Sequence, residues 1–213
     1  MCDPLAAACT AELLMARLIP MIEGNDEWQI LTLPTRKSSA SNARALAELS
    51  NEQQAWLATA PPPLWLADDV FVCCATPHSD LRYRLEIVSD DLGSNGSPSV
   101  RVATKAEVLA RLGAGLHLKA SLIICDHTHI PRVVNMISPT GGHLITAINP
   151  VSVGLPAQDD MHPYKQHVEN GSPHARKPLL NGQLQAGKSS RAAWRMTLKA
   201  WPVWPSRASG QTG

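Results

Sequence analysis

The chain has 213 residues, of which 44% are hydrophobic and 17% charged, and its formal net charge is +1 at pH 7. A chain of this length and composition can bury a core, which excludes a disordered protein. Its charge balance gives no overall attraction to nucleic acid or to a membrane surface. We expect one domain over residues 1–204 and a frayed tail over residues 205–213.

Cysteine usage and the absence of long apolar runs indicate the compartment. The five cysteines are an odd number, and three of them stand in or beside apolar strands, which favours reduced thiols over a disulfide framework. The N-terminal stretch MCDPLAAACTAELLMA has no basic region, so it does not resemble a signal peptide. No apolar run reaches the length of a membrane helix. We therefore expect a cytoplasmic protein with no membrane partner.

Apolar periodicity, turn residues and capping residues predict a mixture of helices and strands. Two capping boxes, Ser50 with Gln53 and Thr104 with Glu107, each predict the start of a helix. The run ASLIIC is apolar on both faces, which is typical of a central strand. In chain order we expect a helix over 4–18, a strand end and turn over 21–28, a helix over 50–60, a hairpin over 64–77, a helix over 104–113 stopped by Gly113, a strand over 120–125, a hairpin over 132–149, a loop over 154–178 and a last strand over 192–201. This order suggests an α/β or α+β sheet with functional loops at its strand ends.

Two histidines follow the predicted central strand, in the stretch SLIICDHTHIPRVV. In an extended segment residues i and i+2 point to the same side, so His127 and His129 could bind one metal ion. The chain has eight histidines, so a chance pair is an equally good explanation. Asp126 stands at the corner where a tight turn would most easily take glycine.

Four stretches, taken together, resemble the calcineurin-like metallophosphoesterases. CDHTH is similar to the Gly-His-Thr-His motif of that family, and EGNDEW stands where the family has Gly-Asn-His-Asp. FVCCATP stands where a strand runs into His-Gly-Thr-Pro. NPVSVGLP resembles the Asn-Pro-Gly-Ser-Val-Gly-Leu-Pro segment of the compact bacterial phosphodiesterase branch. The order and spacing fit from about residue 5 to residue 199.

The resemblance implies an α/β fold, a two-sheet sandwich flanked by helices, with two divalent ions at the strand ends. The ions, which would be Mn, Zn, Fe or Ni, bind the phosphate of a small phosphoester, and a metal-bound hydroxide attacks phosphorus. By position, Asn25 and His127 would be ligands of the second ion and His129 of the first. Cys74 takes the place of another metal-binding histidine, and Ser152 would lie beside the phosphate pocket.

The departures from the family pattern fall on or beside the residues that bind metal or catalyse the reaction in that family. Asp26 stands where the family has its catalytic histidine, Cys74 replaces a histidine ligand, and Asp126 and Val151 replace glycines. The first strand–helix–strand unit, with its Asp-x-His and Gly-Asp ligands, has no counterpart in this sequence. We therefore expect a truncated domain that holds at most one ion and is weakly active or inactive. A missing unit would also expose a sheet edge, which a homo-oligomer could cover.

Two other interpretations stay open. The chain could be a pseudoenzyme or structural remnant that binds no metal, with Cys74 as an ordinary buried thiol. It could also bind anions or nucleic acid, because no acidic residue follows Glu169 and the basic end carries Trp194 and Trp201. The positive charges there are dispersed, so nucleic acid is not the expected partner. The loop histidines His162, His167 and His174 are expected to be surface residues. Asp159 and Asp160 are expected to make loop and sheet contacts and to take no part in catalysis.

Overall fold

The computed structural model describes residues 6–34, 37–150, 152, 157–171, 175–184 and 192–201. Its α-helices are α1 (Ala7–Arg17), α2 (Asn25–Thr32), α3 (Ala40–Glu48), α4 (Asn51–Leu57), α5 (Lys105–Ala110) and α6 (Ala114–Lys119). Its strands are β1 (Leu64–Ala67), β2 (Val70–Val72), β3 (Glu86–Val88), β4 (Val100–Val102), β5 (Leu122–Ile124), β6 (Arg132–Ile137), β7 (Leu144–Asn149), β8 (Ala157–Asp160), β9 (Gln166–Glu169), β10 (Ala175–Leu184) and β11 (Ala192–Trp201).

A five-stranded sheet in the order β1-β2-β5-β7-β6 forms the centre of the fold. Strands β2, β5 and β7 are parallel, whereas β1 and β6 pair antiparallel at the two edges. The other described strands form the two-stranded pairs β3–β4, β8–β9 and β10–β11. The predicted mixed α/β class is confirmed, and so are the two hairpins β1–β2 and β6–β7.

The main hydrophobic core lies on one face of this sheet and is covered by α5 and α6. Ile123 of β5 packs in this core, while its neighbour Leu122 belongs to a cluster on the opposite face. Both side chains are almost completely buried. The prediction that β5 is a central strand buried on both faces is therefore confirmed. Val108 of α5 and Leu116 of α6 pack in this core, and Leu112 joins them from the segment between the two helices.

A second cluster joins the four N-terminal helices. Its buried members come from every one of them: Ala7, Ala11, Ile30, Ala45, Leu49 and Leu57. The predicted capping box at α4 is present, because the Ser50 hydroxyl accepts from the Gln53 amide N–H at 3.2 Å and the Gln53 side chain accepts from the Ser50 N–H at 3.0 Å. The same reciprocal pair forms between Thr104 and Glu107 at α5.

Several predicted elements differ from the structure. Residues 25–28 are helical, not a turn, because Gly24 caps α2 and its N–H donates to the Glu27 carboxylate at 3.0 Å. Helix α5 ends at Ala110, and Gly113, with φ +74°, precedes α6. Strands β8 and β9 and the start of β10 lie in the segment expected to be a loop, and α3 was not predicted. Val151, His174 and the tail 205–213 lie outside the described residues. None of the described helices is long and apolar enough to cross a membrane.

Candidate functional site at the strand ends

The side chains predicted to bind metal meet at the carboxyl ends of β2 and β5. A cavity of about 250 Å³ opens there. Its lining includes Asn25 at the start of α2, Cys74 two residues after β2, and His127 and His129 in the turn after β5. The predicted set of residues is therefore brought together, although Ser152 does not line the cavity.

His127 is held at the centre of this site by a side-chain amide. Its Nδ1 lies 3.0 Å from Asn25 Oδ1, and its side chain is only 6% exposed. Because an amide oxygen can only accept, Nδ1 carries the proton in this pair. Burial lowers the pKa of His127, so the ring is neutral at pH 7. Nε2 is buried without a hydrogen-bond partner among the described residues. The ring of Tyr83 packs edge-on against the imidazole, with 5.0 Å between the ring centroids.

Cys74 contacts the same amide oxygen. Its Sγ lies 3.6 Å from Asn25 Oδ1, so the thiol donates to the group that also accepts from His127. Burial raises the pKa of Cys74 to about 12, which keeps the sulfur protonated at neutral pH. Gly24 makes room for this contact, because a Cβ there would lie 3.2 Å from the Cys74 sulfur and 2.9 Å from the Glu27 carboxylate.

Asp26, at the family's catalytic-histidine position, lies among amides. Its Oδ1 is 3.3 Å from Asn25 Nδ2 and 3.4 Å from Asn42 Nδ2. Burial raises the pKa of Asp26, the neighbouring Glu27 charge raises it further, and the hydrogen bond from Asn42 opposes both. The position therefore offers a carboxyl that accepts from amides and has no imidazole to protonate a leaving oxygen.

The turn that carries the two histidines is not extended. His127 has φ +65° and His129 has φ +55°, so the expectation of an extended segment, in which both histidines would point to the same side, is wrong for the backbone at these positions. Asp126 does not have a positive φ, and the left-handed backbone lies one and three residues after the predicted corner. Asn149 stabilises the turn by donating to the Asp126 carbonyl at 2.9 Å and to the Thr128 hydroxyl at 2.8 Å.

Sequence reasoning missed four residues that shape the site. Gln158 of β8 donates to the His127 carbonyl at 2.9 Å, although its segment was expected to be a surface loop. The others are Asn42 beside Asp26, Tyr83 against the His127 ring and Asn149 beneath the histidine turn. Asn149 stands in the Asn-Pro motif of the family resemblance, so a signal for it existed. No motif marks Tyr83 or Asn42.

The donor set does not fit a two-metal centre. No group of three or more His, Cys, Asp or Glu side chains in the described part of the chain is arranged to hold a metal ion. Asn25 Oδ1 and His127 Nδ1 satisfy each other, and Cys74 is a neutral thiol. A bridged pair of ions needs several deprotonated ligands converging on one space. In this structure the side chains around that space form hydrogen bonds with one another.

Comparisons with known proteins support the fold. No protein-family model and no curated protein matches the sequence. The structure resembles a metallophosphoesterase from Sphaerobacter thermophilus, with 15% identity and a TM-score of 0.49 over 88% of this chain and 70% of that one. It also resembles the hypothetical protein PH1004 from Pyrococcus horikoshii OT3, with 12% identity and a TM-score of 0.51 over 87% of this chain and 66% of that one.

These likenesses concern architecture. The match to the Pyrococcus protein shows that the chain shares its fold, while an identity of 12% says nothing about activity. The chain spans slightly less than two thirds of that protein's length.

Proposed function

We propose that this chain is a metallophosphoesterase-like protein whose strand-end site no longer carries metal-dependent hydrolysis. The order of its motifs supports the class, since the residues at the family's ligand positions surround one cavity. The observation that carries the loss of hydrolysis is the position of Asn25 Oδ1, which is 3.0 Å from His127 Nδ1 and 3.6 Å from Cys74 Sγ. One amide oxygen thus engages the side chains at two positions where the family has metal ligands.

The protonation states support the same conclusion. A metal ion binds thiolate sulfur and the lone pair of an imidazole nitrogen. Cys74 would have to lose a proton whose pKa burial raises to about 12, and His127 would have to leave Asn25 or expose its buried Nε2. Each step costs free energy that metal binding would have to supply. We therefore propose that Mn, Zn, Fe or Ni ions are not resident at this site.

The test is hydrolysis of bis(4-nitrophenyl) phosphate by the whole chain with Mn²⁺, with Zn²⁺ and with EDTA. A variant carrying His127→Ala and His129→Ala is the control, and its thermal unfolding shows whether it is folded. We expect the same background rate in every condition. Metal-dependent turnover by the original chain that disappears in the folded double variant would contradict the proposal.

Thermal unfolding with the same ions provides an independent measurement. Any ion that binds only the folded chain raises Tm in proportion to the logarithm of its concentration. We expect Tm to be unchanged by Mn²⁺ or Zn²⁺. A rise in Tm that requires His127 and His129, without turnover, would instead indicate a single bound ion that does no chemistry.

A further inference from the structure

A second, larger cavity adjoins the strand-end site and is not explained by the proposed function. This cleft has a volume of about 690 Å³ and shares Asn25, Asp26, His127 and Gln158 with the smaller cavity. One wall is the start of α3 and the residues before it, and the other is the β8 strand with the turn that follows. Its size lies within the range of small-molecule sites.

Neutral polar groups make up much of the wall. Gln29, Asn42 and Gln158 contribute amides, and three serines before and within the first turn of α3 contribute hydroxyls. Asn42 Nδ2 lies 3.2 Å from Gln29 Oε1, so two of these amides hold each other in place. Amide and hydroxyl groups both donate and accept hydrogen bonds, which suits the hydroxyl groups of a ligand.

The charges of the cleft disfavour an anion. Asp26, Asp159 and Asp160 line it, against one lysine, Lys37. A phosphate group in this cleft would be repelled by three carboxyl groups, and no metal ion would offset their charge. A neutral ligand would not experience this repulsion.

Asp160 is placed to accept hydrogen bonds from the hydroxyl groups of a ligand. Its Oδ1 accepts from the backbone N–H groups of Met161 at 2.6 Å and His162 at 3.1 Å, which fixes the carboxylate at the end of β8. Tyr83 OH lies 3.5 Å from its other oxygen. A carboxylate has about four acceptor directions, so capacity remains for a ligand.

The cleft also has one flat apolar surface. Trp28 of α2 lines it together with Leu33 and Leu81. The indole Nε1 of Trp28 donates to Asp80, which fixes the ring in one orientation. A fixed indole provides a stacking surface for a planar ring such as a nucleobase.

We propose that this cleft binds a neutral nucleoside, with its base against Trp28 and its sugar hydroxyls on Asp160 and the amides. The inference rests on the proposed function, because resident metal ions would add positive charge and favour a phosphate. It goes beyond that function by naming the class of ligand.

The test is isothermal titration of the whole chain with adenosine and with AMP, both in EDTA. We expect adenosine to bind and AMP to bind at least about tenfold more weakly. Asp160→Asn should weaken adenosine binding and bring the two affinities closer. Asp90→Asn is the matched control, because Asp90 is exposed and does not line the cleft, and it should change neither affinity.

Two results would overturn the inference. One is the absence of adenosine binding, and the other is AMP binding in EDTA as tightly as adenosine. Repeating the AMP titration with Mn²⁺ distinguishes a failure of the proposed metal-free site from a failure of the proposed nucleoside cleft. AMP binding that appears only with Mn²⁺ would contradict the metal-free site, while the preference for adenosine in EDTA would still support the cleft.

Discussion

Two buried polar regions of this protein use their side chains in different ways. At the strand ends, Asn25, Cys74 and His127 bond to one another. Around β3, charged side chains bond mostly to the backbone: Arg84 to the Ala75 carbonyl, Arg111 to three carbonyls, and Arg132 to those of Leu85 and Ala103. The comparison separates side chains that satisfy backbone carbonyls from side chains that mainly satisfy one another.

The difference has a physical consequence for stability. The Tyr83 and Arg84 carbonyls lie in the irregular segment before β3 and have no ladder partner, so the arginine that reaches them satisfies groups that would otherwise be costly to bury. By contrast, the hydrogen bonds of Asn25 with His127 and Cys74 join side chains, and the contact of Cys74 Sγ with the Asp80 carbonyl is long, at 3.8 Å. We therefore expect the arginines around β3 to tolerate substitution poorly, and Asn25 of the strand-end site to tolerate it better.

The largest expected effect is that of Arg111→Met. Arg111 Nη1 donates to the carbonyls of Tyr83 at 2.6 Å, Arg84 at 3.0 Å and Glu86 at 2.7 Å. Methionine preserves much of the aliphatic stem but leaves the three carbonyls without this donor. We expect the free energy of unfolding to fall by about 4 kcal/mol, measured by urea denaturation.

Arg101→Met is the matched control. Arg101 forms a two-pronged pair with Glu107 at 2.7 and 3.1 Å, but the pair lies at the surface. Exposed pairs contribute little to stability, so this variant should unfold close to the original chain. Equal losses in the two variants would show that the carbonyl contacts of Arg111 are not what stabilises the region around β3.

Local signals in the sequence located much of this fold. Capping boxes at Ser50 and Thr104 marked two helices because each is a reciprocal pair of contacts within four residues. The run over β5 identified a central strand because a strand covered on both faces needs apolar residues on both. The start of α2 was missed, since its cap is a glycine backbone N–H bonded to Glu27, and glycine also signals a turn.

The site was predictable only in part. The family resemblance selected Asn25, Cys74, His127 and His129, and all four line one cavity. It could not show that Asn25 and His127, 102 residues apart, bond to each other, because that contact depends on tertiary packing. The left-handed backbone at both histidines was equally invisible, since the only turn signal pointed to Asp126.

Glu86 gives the second prediction. It is 2% exposed on β3, and burial raises its pKa to about 7 from 4.5, against the opposing effects of a Thr128 hydrogen bond and the charges of Arg132 and Arg111. Below about pH 4.5 the Glu86 carboxyl is protonated in both the folded and the unfolded chain, so its ionisation does not lower the free energy of unfolding. Between about pH 4.5 and 7 the unfolded chain releases its proton first, so stability falls as pH rises and levels off above pH 7.

Glu86→Gln should remove that slope. Glutamine keeps the shape and needs no proton, so above pH 7 the variant should be more stable than the original chain by about 3 kcal/mol. Urea denaturation across this pH range measures the difference. A variant that is less stable above pH 7 would mean that the neighbouring arginines stabilise the carboxylate more than burial destabilises it.

The smallest expected effect belongs to Asn25→Ala. The substitution removes the acceptor of both His127 Nδ1 and Cys74 Sγ. It therefore leaves a buried ring N–H and a thiol without that partner, and we expect the free energy of unfolding to fall by about 1 kcal/mol. The control is Asn51→Ala, an exposed position at the start of α4, where alanine is a good helix former and little change is expected.

The size of this loss distinguishes two accounts of the strand-end site. If its side chains satisfy only one another, the loss at position 25 should stay well below that of Arg111→Met, because no backbone carbonyl loses its donor. If the loss were as large as that of Arg111→Met, Asn25 would be holding the turn that carries His127 in its left-handed conformation. The site would then be a structural element of the fold, and its hydrogen bonds would not be mere substitutes for metal ligands.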